Sequence, residues 1–438
     1  MGQNHGEKKP NTAKKWLQWM SIGTLVVPLA ACSSNGSEAN DIQSGTAEKS
    51  KDPVSLTFYS TSTWSQEAFY ERFGDAMRKK FPNYNIEYIA IGKGTTLPEI
   101  ISSGTQIDIV WQDVNSTIPQ LIEYGLQFDM TDLIKKHGLD LKTLEPSTID
   151  IIKQMSEGKM YALPIVINTA ALYYNKDIFD RFGIAYPQDG MTWDQVSDLA
   201  RKLRRTDGGQ EYYGIATGSQ PQLNMSAFSI PFIDPKTEKP TILTDERWKT
   251  IYTQLTALRK TSDNKSLVED NFVKDKNVAM LDYLANTFLN KDMSMMNWDL
   301  VAYPTFKELP GKGPQTLPTL FGITSVSKHK DEAMEVLKFM LSEEAQLSLS
   351  ERAIIPVLQN EKVLKAFGTK AKYPNKNYQA ILKWKFSPIA PKTKYETKAR
   401  TIFAKPTVDL GSDKIDMNTA FRQIDEETSK MIAEEKAK

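Results

Sequence analysis

The chain is poor in reactive side chains. Its 438 residues include one cysteine, Cys32, and three histidines. A single cysteine excludes an internal disulfide framework and a multi-thiolate metal site. Beyond the N-terminal segment only His137 and His329 remain. A three-histidine metal site is therefore impossible, and a Ser-His-Asp triad would have to use one of these two. Each sits in a polar context beside a helical pattern, Lys136-His137-Gly138 and Lys328-His329-Lys330, where a solvated loop or cap is expected. No GxxxxGKS/T loop occurs, so the chain has no phosphate cradle of the ATPase kind. The stretch Ile91-Gly92-Lys93-Gly94 has two loosely spaced glycines and reads as a turn. Charge of one sign is not in excess either: 55 basic residues face 54 acidic ones, for a net charge of +1. Nothing electrostatic points to nucleic acid. No apolar run reaches the ~20 residues of a membrane-spanning helix.

The features that are present begin at the N-terminus. Lys8, Lys9, Lys14 and Lys15 precede an apolar run from Trp16 to Ala31, which ends at Leu29-Ala30-Ala31-Cys32. A charged start, a short apolar middle and small residues at the cut make an export signal rather than a structural helix. The last four residues resemble the lipobox of bacterial lipoproteins. That resemblance implies a signal peptide over 1–31 and a lipidated Cys32, palmitate-bearing, as the new N-terminus. Ser33-Ser34-Asn35-Gly36-Ser37 and the polar residues on to Asp52 show no periodicity, so 32–52 is expected to be a flexible tether. About 400 residues remain after the signal, enough for two or three domains.

Order is expected from Val54, where apolar residues alternate as in a half-buried strand. Phe69, Phe73, Ala76 and Met77 then share a helical face. Further strand patterns lie at 86–91 and 107–111, with a short helix near Leu97 between them. Strand, helix, strand, helix, strand is the pattern of a parallel α/β sheet, and open sheets of that kind collect ligands at the carboxyl ends of their strands. Those ends are Ser60-Thr61-Ser62-Thr63-Trp64 and Gln112-Asp113-Val114-Asn115-Ser116. Polar groups beside a tryptophan suit a sugar, which has hydroxyl rims and flat apolar faces; the same Ser, Thr, Asp and Asn serve equally as helix caps. Thr192 with Gln195 fits a capping box. Apolar stripes through Ala333, Val336, Leu337 and Met340, and through Phe421, Ile424 and Ile432, mark packed helices. The Pro- and Gly-bearing stretch 304–318 is expected to break regular structure.

Several segments taken in order resemble one family. They are 161–168 running into Ala170-Ala171-Leu172-Tyr173-Tyr174-Asn175-Lys176-Asp177, then Met191-Thr192-Trp193-Asp194-Gln195, Asn277-Val278-Ala279-Met280, Phe321-Gly322-Ile323, and Asp331-Glu332-Ala333 through Phe339-Met340. Together they are similar to the extracellular solute-binding protein family 1, the lipoprotein receptors of carbohydrate-importing ABC transporters. One departure stands out: Arg352-Ala353-Ile354-Ile355-Pro356 lacks the glycine that relatives often place before this proline turn.

The resemblance implies an α/β, two-lobed, hinged periplasmic-binding-protein-like fold of type II, each lobe a mostly parallel sheet flanked by helices. It puts the first lobe at 53–167 with 320–370 and the second at 168–319 with 371–438. It implies no enzyme activity, no cofactor and no catalytic or metal site. The solute, a carbohydrate, would bind between the lobes and be handed to a membrane permease at the extracytoplasmic face, where the lipid anchor holds a monomer. Loops delivered to the cleft nominate Thr63, Trp64, Asp113 and Asn115 from the first lobe and Asn168 from the crossover. From the second lobe they nominate Asn224, Asp282, Tyr283 and Asn286, with Phe321 and Gly322 at the return hinge. Trp64 or Tyr283 would stack on a pyranose face while the Asp and Asn side chains grip hydroxyls. Receptors for a polyamine or peptide, a lipid-anchored glycosidase working with two carboxylates, and a sensor on the same body stay open. Clustered acids in the cleft would favour a polyamine, and aromatic platforms with amides a sugar.

Overall fold

The computed structural model describes residues 54–437 apart from 219 and 264. The signal, tether and Cys32 expected at 1–52 lie outside the described residues. Twelve strands run in chain order: β1 (Val54–Ser60), β2 (Tyr84–Ala90), β3 (Ile109–Asp113), β4 (Leu163–Asn168), β5 (Ala170–Asn175), β6 (Arg205–Asp207), β7 (Gln210–Thr217), β8 (Val278–Leu284), β9 (Trp298–Val301), β10 (Lys312–Gln315), β11 (Leu317–Ile323) and β12 (Lys385–Ser387). They form two five-stranded sheets, ordered β2-β1-β3-β11-β4 and β6-β7-β8-β5-β9, and a two-stranded ribbon of β10 and β12.

In the first sheet β2, β1 and β3 are parallel, and β11 runs antiparallel to both β3 and β4. Four of its strands thus point one way. The second sheet is more mixed than expected: β7 and β8 are parallel, but β5 is antiparallel to β8 and β9, and β6 to β7. The reversed strands β11 and β5 are the ones that enter each sheet directly from a strand outside it. Thr169 alone separates β4 from β5, and Thr316 alone separates β10 from β11. A strand reached through one residue cannot wait for a crossover helix, so it keeps its heading and lies antiparallel where it lands.

Period-two alternation explains which side chains fill the layers. In β1, Leu56 and Phe58 enter the large core with Ile109 and Trp111 of β3, while Tyr59 and Val110 face the opposite side with Leu97, Ile100 and Ile107. Both faces are covered, so the strand reads as a continuous buried run from Leu56 to Ser60. A third cluster, on Leu172, Trp193, Trp248, Tyr252 and Phe403, packs the second sheet against the helices Trp193–Leu203 and Arg247–Lys260 and the C-terminal segment.

Local signals placed several elements correctly. Gln195 donates its backbone N–H to the Thr192 hydroxyl at 3.4 Å, and Thr192 returns its own N–H to the Gln195 amide oxygen at 2.8 Å, closing the capping box. The expected break at 304–318 is instead crossed by β10, which pairs with β12 from 70 residues downstream, a partner no local pattern announces. His137 does sit at the end of the helix Thr131–Lys136, but its ring is mostly covered and lies 3.0 Å from the Asp331 carboxylate.

Candidate functional site

After β1 the chain makes a helical run of three pieces, Gln66–Phe69, Tyr70–Gly74 and Asp75–Lys80, of which the middle one is a π-turn. Gly74 permits it, because a Cβ there would collide with the Tyr70 ring. A widened turn re-aims side chains, and here it carries Glu71 and Arg72 to the wall of a cavity. Arg352 braces the turn from a distant segment by donating to the backbone carbonyls of Glu71 at 2.8 Å and Arg72 at 3.2 Å.

That cavity measures about 570 Å³, within the usual range of small-molecule sites. Trp64, Glu71 and Arg72 wall it from the run after β1, Leu289 and Asn290 from the helix Thr287–Asn290 after β8, and Arg352, Ile354, Lys370 and Lys372 from the segment beyond the helix Glu343–Glu351. A narrow extension of about 20 Å³ shares Arg72, Leu289 and Ile354 with it and reaches Asn168, Thr319, Ala285 and Asn286. Elements attached to both sheets therefore line these two adjoining cavities. Arg72 lines both, donating to the Asn290 amide oxygen at 3.4 Å.

Three of the expected residues meet there. Trp64 is held by Tyr88, whose hydroxyl donates to the Trp64 carbonyl at 2.9 Å, and by an edge-on contact with Trp111 at 5.5 Å. The Arg72 guanidinium stands 4.3 Å from its ring centroid, so one face of the indole already carries a cation. Asn168 ends β4 and Asn286 precedes the helix Thr287–Asn290; both line the narrow extension. Each has a buried amide oxygen with no hydrogen-bond partner among the described residues. Two orphaned acceptors at one narrow place suit a ligand with hydroxyl donors, since leaving such a group unmatched costs about 1–3 kcal/mol.

The others lie elsewhere. Thr63 is exposed on the loop after β1. Asp113 and Asn115 close the turn after β3, where the Asp113 carboxylate accepts the Asn115 N–H at 2.8 Å and the Ser116 hydroxyl at 3.2 Å. Tyr283 is half-buried in β8, where burial pushes its hydroxyl up to about 12. Asn224 is buried against Lys392, whose ammonium lies 3.4 Å from its amide oxygen.

Asp282, Phe321 and Gly322 line neither of these cavities. Asp282 is fully buried within β8, and its carboxylate accepts from Thr217 and Gln222 at 2.7 Å each and from Tyr303 at 2.9 Å. Burial raises its pKa from 3.8 to about 6 despite these three donors. Phe321 packs on Phe73 at 5.4 Å and Trp111 at 5.3 Å inside the core. Gly322 sits in the same strand because a Cβ would come within 2.7 Å of the Tyr161 carbonyl. The passage between sheets is at Thr316, before β11 begins.

The corner without a glycine has its own geometry. Ala353 itself adopts the left-handed conformation, φ 61°. The corner is pinned by the buried Gln346, whose amide oxygen accepts the Val357 N–H at 2.9 Å while its NH₂ donates to Ile165 and Met340 carbonyls at 2.8 Å. This is how Ile354 and Arg352 reach the cleft.

The family profile described as bacterial extracellular solute-binding protein matches residues 60–347. The chain belongs to that family. A binding protein of Brucella abortus is 24% identical over 383 residues, 80% of this chain and 82% of its own. A mannitol-binding protein of Pseudomonas aeruginosa is 41% identical over 86 residues, 20% of this chain and 18% of the relative. Among solved structures, an ABC substrate-binding protein of Listeria monocytogenes in complex with cycloalternan superposes with a TM-score of 0.70 at 21% identity, covering 87% of this chain and 100% of the other. A sugar transporter of Rhizobium etli in an open conformation gives 0.67 at 20% identity, over 86% and 99%. The architecture is the two-lobed type II fold of periplasmic sugar-binding proteins.

Within this solute-binding protein the basic lining of the cleft was not foreseen. Arg72, Arg352, Lys370 and Lys372 come from segments up to 300 residues apart, and no spacing rule joins them. The one local signal was the unusual corner at Arg352.

Proposed function

We propose that the protein is a membrane-anchored extracytoplasmic receptor that captures a sugar or oligosaccharide between its two lobes and delivers it to an ABC importer. The observation that carries the sugar reading is the pairing of an indole wall, Trp64, with the two unpartnered amide oxygens of Asn168 and Asn286 in the adjoining cavity. An aromatic face beside amide acceptors matches a saccharide's apolar faces and hydroxyl donors. Relatives named for mannitol and cycloalternan bind solutes of this chemistry. A polyamine fits poorly, since cations outnumber Glu71 in the wall, and a glycosidase would need a second carboxylate beside it.

Capture is a two-state closure. A solute touching both lobes shifts the equilibrium only by its extra affinity for the closed form. Thr169 and Thr316, the single-residue passages between strands, are the natural pivots. The anchor rests on the sequence step ending at Cys32.

A thermal-shift panel of saccharides, polyamines and short peptides tests the reading. A ligand at 100 times its dissociation constant stabilises by about 2.7 kcal/mol. A saccharide that raises the melting temperature and is recovered intact is the expected result; a response to polyamines or peptides alone, or consumption of the sugar, overturns it. Metabolic labelling with an alkyne fatty acid should mark the native chain and not Cys32→Ala; equal labelling of both would remove the anchor.

A further inference from the structure

We propose that the solute is an acidic saccharide, whose carboxylate or phosphate oxyanion seats against Arg72, Arg352 and Lys372. The inference rests on the cleft being the solute site and names the class of solute it takes.

The wall of the main cavity carries four cationic side chains, Arg72, Arg352, Lys370 and Lys372, against the single carboxylate of Glu71. Their partners differ. Lys370 is matched by Glu351 at 2.7 Å. Arg72 and Arg352 have no ion pair among the described residues: Arg352 donates only to backbone carbonyls, of Ser348, Glu71 and Arg72, and Arg72 only to the Asn290 amide and the Trp64 face. Arg181 is matched by Asp207 at 2.5 Å and Arg247 by Asp245 at 2.8 Å. Arg78 and Arg205, like the pair in the cavity, reach only carbonyls and ring faces among the described residues. What sets Arg72 and Arg352 apart is that they share one cavity wall.

Glu71 is the one carboxylate of the wall that offsets the two guanidiniums, and an excess of positive charge remains. Burial and the charge of Arg352 together pull Arg72 down from 12.5 to about 10. Such an arrangement is stabilised when an anion arrives. Arg72 directs one of its five N–H donors at a protein acceptor, which leaves the fork free for the bidentate geometry that carboxylates and phosphates favour. Lys372 is exposed in the same lining and adds a point charge on a flexible stem. The rest of the cleft keeps its sugar character: Trp64 at one side, and Asn168 and Asn286 in the narrow extension. A neutral sugar would use the second set and leave the excess positive charge of the first in place.

The test is titration calorimetry of the full chain against oligogalacturonides and matched neutral galactose oligomers, and against glucose 6-phosphate and glucose, at about 20 and about 300 mM salt. The expected result is at least tenfold tighter binding of one acidic ligand than of its neutral twin, with the margin shrinking at high salt. The two acidic arms distinguish carboxylate from phosphate. Lys372→Gln and Arg72→Gln should each weaken the acidic ligand at least threefold; Lys372 is exposed, so that variant folds even if the other does not. Neutral oligomers binding as tightly as acidic ones would overturn the inference while leaving the solute-receptor reading intact. Acidic binding unchanged in both variants would place the anion elsewhere and overturn it as well. Heat from no saccharide of either kind would remove the sugar reading and this one with it.

Discussion

Thr169 donates its hydroxyl to the Gln315 carbonyl at 3.0 Å. The bond ties the passage between β4 and β5 to the end of β10, one residue before the passage into β11. Gln315 extends the tie with its side chain, donating to the Ser226 carbonyl at 2.7 Å and accepting the Ala390 N–H at 2.6 Å. Ala390 lies on the segment after β12, so one buried glutamine joins three stretches of chain at the junction of the sheets. Thr169→Val keeps the shape and removes the donor, leaving a buried carbonyl a bond short. A loss of about 1–2 kcal/mol is expected in urea denaturation with an unchanged slope. A stability within about 0.3 kcal/mol of the parent would mean that the bond does not hold the junction.

Asp282 gives the protein a pH dependence of known sign. Its folded pKa, about 6, lies above its ordinary 3.8, so the folded state holds the proton more tightly than the unfolded one. The resulting stability is fully present below about 4 and is lost as pH rises through about 6. Asp282→Asn cannot ionise and lacks this slope. Between pH 7 and pH 5 the parent should gain on the order of 1 kcal/mol relative to Asp282→Asn. A constant difference across that range would show that the carboxylate does not titrate there.

Trp64→Ala should weaken solute binding by at least tenfold. It should also lower the melting temperature of the solute-free protein, because the ring packs edge-on against Trp111 and carries Arg72 on its face. Trp64→Phe retains part of both contacts and separates the two effects. Unchanged affinity in Trp64→Ala would take the indole out of the site.

Ala353 carries a left-handed backbone that glycine adopts without strain. Ala353→Gly is expected to match or exceed the parent, by about 0.5 kcal/mol, and Ala353→Val to lose about 2 kcal/mol or more, since a β-branched side chain is least tolerant of positive φ. Equal stability of Val and Ala at this position would contradict the geometry of the corner.

Features of the fold that depend on near neighbours were legible in advance. The capping box of Thr192 and Gln195, the existence of β1 and the helical stripe at Ala333–Met340 are set by residues within a few positions of one another, although β1 is buried on both faces rather than half-buried as its alternation suggests. Asp282 is buried rather than on a cleft loop because the strand that takes up the family-like segment 277–280 does not stop there. β8 continues to Leu284, which turns a loop acid into a buried one. Phe321 and Gly322 were misplaced for the complementary reason: their strand starts at Leu317, so they lie in its middle rather than at its entrance. The Arg72–Arg352 pair was out of reach altogether, because a π-turn and a corner 280 residues apart must both form before the two guanidiniums meet. Trp64 follows a strand that its own alternation marks, whereas Asn168 and Asn286 were nominated through the family resemblance rather than by any local pattern.

The most direct test of capture between lobes uses Asn168 and Asn286, which line the same narrow space from opposite sheets and whose amide oxygens await a donor. The measurement is the dissociation constant of the best saccharide for the parent, Asn168→Ala, Asn286→Ala and the double variant. Each single substitution should weaken binding about tenfold, leave the melting of the empty protein unchanged, and couple to the other by at least about 0.5 kcal/mol. A single variant that binds within twofold of the parent would mean that the solute does not bridge the two sheets there.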